Sequence, residues 1–194
     1  MRRYSPAAAA VWTLAALAVQ VASALFLGGR LAVLGLTLML GCYLMNAYAA
    51  FRLRAWVALG AAAAGGLLVL LAPGGTEPAW MGNIAVNLLF LLFYLPMQSG
   101  MDKALRDAHA PTGTQRMGRV WAIATLVQRG ASMMGFLPMF AGEAEKSAAQ
   151  GAYTALFSVQ VWLEMIALLA AIVSYVWMVR YLWRAKTLLA EEKQ

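Results

Sequence analysis

The sequence predicts an all-α, polytopic membrane protein: a bundle of six transmembrane helices with both termini cytoplasmic. Three observations carry that expectation. The chain is 63% hydrophobic and only 12% charged, about half the charged fraction of an average soluble domain. Its apolar runs approach or exceed the ~20 residues that cover a ~30 Å hydrocarbon core at 1.5 Å per residue. Its basic residues sort to one side once the runs alternate in direction.

The runs place spans at about 8–28, 31–50, 55–72, 81–100, 118–141 and 153–183 of a single transmembrane domain, 1–194, with a short cytoplasmic loop at about 101–117. In the first, MRR, an apolar run and Ala22-Ser23-Ala24 imitate a cleavable leader. The apolar region from Ala7 to Gly29 is longer than a leader's apolar core and contains Gln20, which favours an uncleaved span. The second aligns Gly35, Met39, Cys42 and Asn46 on one face, and the third offers Gly60, Ala61, Ala62, Ala64, Gly65 and Gly66. That small surface suits close backbone packing or docking to another membrane protein.

The fourth span is the informative one. At 3.6 residues per turn, Asn83, Asn87, Tyr94 and Gln98 fall within roughly 60° of one another on an otherwise aliphatic helix. Polar side chains facing lipid are costly, so this stripe is expected to face protein or water. Pro96 interrupts the same helix, and Pro138 the fifth. The intervening loop, MDKALRDAHAPTGTQRMGR, is expected to begin as a helical turn and to break at Pro111-Thr112-Gly113, its mixed charges forming a solvated face.

In the fifth span, Thr125, Arg129 and Ser132 share a face, and in the sixth Glu164 shares one with Gln160, Ala171 and Tyr175. Arg129 counts ~18 Å below Ala141 and Glu164 ~16 Å below Tyr153, so an intramembrane Arg129–Glu164 pair is expected near the midplane. Tyr175, Trp177, Tyr181 and Trp183 read as an aromatic belt, with the helix continuing into TLLAEEKQ.

Arg2, Arg3, Arg52, Arg54, Lys103, Arg106, Arg116, Arg119, Arg180, Arg184, Lys186 and Lys193 fall on one side, against Arg30 and Lys146 on the other. This bias sets the cytoplasmic termini. The net charge of +7 thus sits at segment ends, where orientation and anionic headgroups explain it, and nucleic acid is not an expected partner. Absence of a glycosylation sequon and an Ala/Leu-rich composition fit a bacterial-type inner membrane.

One histidine, His109, and one cysteine, Cys42, leave no pair for a metal, haem or internal disulfide, so no cofactor is expected. Glu164 is the one carboxylate within the spans as drawn, and HExxH, GxSxG and paired aspartates are missing, which argues against an enzyme.

The expected function is transport-type, a permease or channel whose polar face binds a small polar or anionic solute. Asn83, Asn87, Tyr94, Gln98, Arg129, Glu164, Gln160, Gln20 and Asn46 are the candidate ligand- or pathway-lining residues. In this reading Arg129 supplies positive charge and Glu164 exchanges a proton. The alternative is a non-catalytic subunit or assembly factor docking through the third helix. The six-span plan is similar to half of a major-facilitator transporter in architecture only. GMDKALR lacks that superfamily's GxxxDRxGRR spacing, so no residue role transfers. The analogy implies that the chain dimerises to enclose a pathway; the expected partners are the lipid bilayer and a homo-oligomer or a partner membrane subunit.

Overall fold

The computed structural model describes residues 4–26, 32–71, 79–134 and 150–191. Among them the chain forms six helices: α1 (Pro6–Phe26), α2 (Ala32–Leu53), α3 (Trp56–Leu71), α4 (Ala79–Asp107), α5 (Thr112–Met134) and α6 (Gln150–Glu191). Arg30, Glu77, Pro138, Glu143, Glu145 and Lys146 lie outside the described residues. So do Arg2, Arg3, Lys193 and the side chain of Asn83.

Four stretches are long and apolar enough to cross a membrane: Pro6–Ser23, Val33–Leu53, Ile84–Asp107 and Val159–Ala190. They make this a membrane-embedded helical protein. Trp56–Leu71 is apolar but shorter. Helix α5 stands apart because Arg116, Arg119 and Arg129 interrupt its apolar residues.

Each helix packs on its neighbours in sequence and α6 packs on α1, closing a ring, while α4 also touches α2 and α6 across it. Several contacts gather the basic ends together. The Ser5 amide donates to the Arg52 carbonyl at 3.0 Å. Arg54 lies over the Tyr4 ring at 5.8 Å. Gly100 on α4 abuts Leu53 at the end of α2. Burial pushes the Tyr4 phenol up, and nearby Asp107 adds to the push while Arg54 opposes it.

The core is thickest toward this basic end. Trp121, Tyr181, Met97, Met101, Leu105, Met178 and Leu182 are its largest fully buried side chains. Ala9 and Ala10 of α1 and Ala49 and Ala50 of α2 are wholly buried. Small residues there let two backbones approach closely, the packing that drives helix association where lipid offers no hydrophobic bias. In α3, the Tyr43 ring closes over Gly65, where a Cβ would clash with its edge. Of the small face of α3, Ala61, Ala62, Gly65 and Gly66 are thus buried within the chain, while Ala64 is half-buried and Gly60 exposed. The outer surface is apolar, with Leu67, Leu70, Leu168, Leu169 and Ile172 all exposed.

Two helix ends differ from the sequence expectation in an instructive way. Arg54 and His109 both adopt positive φ, at 59° and 52°. After each, the next amide reaches back, Ala55 to Ala50 and Ala110 to Leu105, both at 2.9 Å. These are Schellman closures, which satisfy the carbonyls a helix end leaves open. The expected loop at 101–117 is therefore mostly helix. Helix α4 runs on to Asp107 because Met101, Ala104 and Leu105 keep its core face buried. Helix α5 starts at Thr112, straight after Pro111, so the break is 108–111 and Gly113 is already helical.

Helix α6, with 42 residues, is ~63 Å long and must overrun a ~30 Å hydrocarbon core. Its continuation to Glu191 agrees with the sequence reading. Ser174, Met178, Tyr181, Leu182, Ala185 and Leu189 form one buried row along it. Tyr181 belongs to that row, fully buried, rather than to the expected aromatic belt; Trp183 is exposed.

Candidate functional site

The stripe on α4 turns inward. Asn87 and Tyr94 are buried and Gln98 is half-buried. Pro96 sits between the last two without ending the helix. Along ~22 Å of α4 (Asn87 to Asp102 at 1.5 Å per residue) these groups form a seam with α5 and α6.

At one end of the seam lies Arg129. Its Nη1 donates to Asn87 Oδ1 at 3.1 Å, and its guanidinium stands 4.1 Å from the centre of the Phe90 ring. Arg129 is half-buried, so this cation–π contact falls between the ~0.5 kcal/mol of an exposed site and the ~2 kcal/mol of a desolvated one. Its Nε is buried with no hydrogen-bond partner among the described residues. The amide and the ring face offer partial negative charge, but neither neutralises the cation.

Aromatic rings continue from there. Phe90 stacks on Tyr94 with centroids 5.7 Å apart. Tyr94 meets Trp121 of α5 edge-on at 5.8 Å, and Trp121 tilts against Tyr181 of α6 at 5.6 Å. Such geometries suit the ring quadrupoles. Beside them, the Thr125 and Ser174 hydroxyls are 2.8 Å apart and pin α5 to α6.

The other end is a buried acid. Asp102 is 7% exposed. Its Oδ1 accepts from the Tyr181 hydroxyl at 2.6 Å, and its Oδ2 accepts from Gln98 Nε2. Gly118 of α5 makes room for this crossing. A Cβ there would lie 2.8 Å from the Tyr181 ring and 2.9 Å from Asp102 Oδ1.

The expected Arg129–Glu164 pair is corrected. Glu164 is exposed and accepts from Gln160 Nε2 at 3.1 Å, on the outer face of α6. Taking the Thr125–Ser174 contact as a common level, Arg129 is four residues further along α5 and Glu164 ten along α6, a mismatch of ~9 Å. Glu164 is also rotated ~80° from the Ser174 face. Counting inward from 141 and 153 assumed that those residues sit at one height.

Asn46 is buried, its Nδ2 donating to Cys42 Sγ at 3.6 Å while its Oδ1 has no partner among the described residues. It helps line a cavity of about 10 Å3 with Tyr43, Ala61, Ala62, Leu89, Phe90 and Phe93. That is the lower bound for one water. Through Phe90 the cavity adjoins Arg129. Gln20 is half-buried on α1, and no hydrogen bond joins its side chain to the seam.

The structure therefore brings together Asn87, Tyr94, Gln98 and Arg129, with Asn46 close by, and leaves Gln160, Glu164 and Gln20 apart. Asp102, Trp121, Ser174 and Tyr181 complete the seam and were not in the sequence-derived set. For Asp102 the signal was present: it follows Gln98 by four residues and extends the stripe one turn.

No protein family model matches the chain, and no characterised protein or solved structure is significantly similar to it.

Proposed function

We propose that this chain is a small transport-type protein of a bacterial inner membrane, with six spans and cytoplasmic termini, that binds a small polar or anionic solute around Arg129. The observation that carries this reading is an inward-facing guanidinium with an amide and a ring for company and, among the described residues, no carboxylate. Ionisable groups at membrane depth are expensive and usually mark a pathway or ligand site. A small anion offers what Arg129 lacks: full opposite charge and acceptors matched to its planar fork. The gathering of Arg52, Arg54, Lys103, Arg106 and Arg119 at one end supports the proposed orientation.

The reading as a non-catalytic subunit had the small face of α3 as its docking surface. Tyr43 and Leu40 already cover Gly65 and Gly66, so only the part of that face around the exposed Gly60 is left for docking.

Cysteine scanning of α4 in a Cys42→Ala background tests the proposal. Aqueous thiol reagents are expected to label positions 83, 87, 94 and 98, with small anions protecting position 87. Protection at all four without any anion would mark a dry structural interface and overturn it.

A further inference from the structure

We propose that Asp102 is a proton-binding site, and that Asp102 rather than Glu164 is the carboxylate through which this protein exchanges a proton with water at its basic end. Glu164 is exposed and bonded within its own helix. Asp102 is the carboxylate enclosed by three helices, held by Gln98 from α4 and Tyr181 from α6 beside Gly118 of α5. The cations that face it are Arg106 of α4 and Arg119 of α5. Both are exposed, and neither forms an ion pair with it. They act on Asp102 through a screened field, so the carboxylate is not locked in its charged form as a buried salt bridge would lock it.

Water is near. Lys103 and Arg106, one and four residues on, are exposed, so a proton from hydronium or a buffer acid has about one helical turn to cross. Its arrival changes the hydrogen bonding of the whole crossing. As a carboxylate, Asp102 accepts from both neighbours; as an acid, one oxygen becomes a donor. Either the Tyr181 hydroxyl must turn to accept, or the Gln98 amide must flip to present Oε1. The proton leaves by the same route, and no other bond forms or breaks. Proton binding here is thus felt on α4, α5 and α6 together, at the end of the aromatic series that leads to Arg129.

The proposal stands apart from anion binding at Arg129, and its test needs no solute. Infrared difference spectra of the purified full chain in lipid vesicles, recorded between acidic and alkaline buffer, report protonated-carboxyl C=O stretching. A band is expected that Asp102→Asn removes and Glu164→Gln leaves in place. Tyr181→Phe, which keeps the ring and removes one donor to the anion, is expected to move the band's midpoint to higher pH. A band unchanged by Asp102→Asn, one lost in Glu164→Gln, or a midpoint unmoved by Tyr181→Phe would overturn the proposal. The Tyr181→Phe arm keeps it decidable if Asp102→Asn fails to fold.

Discussion

Tyr181 donates to Asp102 at 2.6 Å across 79 residues of sequence, and this one hydrogen bond ties α6 to α4 over the bare backbone of Gly118 on α5. Hydrogen bonds between membrane helices contribute ~0.6 kcal/mol on average, because polar groups find other partners when helices separate. This one has a charged acceptor, a fully buried donor ring and a glycine-sized gap made to fit, and it belongs near the top of that range or above it.

Tyr181→Phe isolates the bond. The ring stays against Trp121, while Asp102 loses a donor and keeps its burial. A hydrogen bond to a charged group stabilises by about 1.5–3 kcal/mol. The variant is expected to fold and to unfold at a lower temperature or denaturant concentration, as read by circular dichroism in detergent. Unchanged stability would mean that Asp102 is already served by water.

Gly118→Ala tests the space itself. The new methyl meets ring carbon and carboxylate oxygen at under 3 Å, and overpacking of this kind costs about 1–3 kcal/mol. Gly130→Ala is the control on the same helix, with nothing within 4 Å of its Cβ. Helix propensity alone favours alanine there by up to ~1 kcal/mol. The two substitutions are therefore expected to shift stability in opposite directions. Equal effects would remove the steric argument.

Much of this architecture is legible from periodicity. The inward stripe of α4, the small face of α3 and the clustering of basic residues all follow from one helix or one loop at a time. Contacts that depend on the relative height of two helices do not. Arg129 and Glu164 looked paired because each was measured from its own loop, and the side-chain levels were set instead by Thr125 meeting Ser174. Tyr181 looked like an interfacial ring because its neighbours Trp177 and Trp183 are aromatic, yet its place in the row from Ser174 to Leu189 buries it. A span drawn to end at Gly100 leaves Asp102 in the loop, because hydropathy alone does not mark Met101 and Leu105 as core.

A double-mutant cycle separates the observed partner of Arg129 from the expected one. Arg129→Gln with Asn87→Ala is expected to show coupling of at least ~0.5 kcal/mol in unfolding free energy, since the two side chains share a hydrogen bond. Arg129→Gln with Glu164→Gln is expected to be additive, because they lie at different heights and face apart. Coupling in the second cycle with additivity in the first would restore the ion pair and dismiss the Asn87 contact.

Cys42 gives a test with a native reporter. As the one cysteine of the chain it is buried on α2, bonded by Asn46 next to the small cavity against Phe90. A folded, static bundle keeps a water-soluble maleimide from it, while a protein that opens its seam to water exposes it intermittently. Labelling is therefore expected to be slow but measurable by mass in native vesicles, and fast after denaturation. It is expected to slow further when a small anion occupies Arg129 and holds Phe90 in place. Arg129→Gln retains the basal labelling and loses the anion effect. An anion effect of equal size in that variant would place the binding site elsewhere.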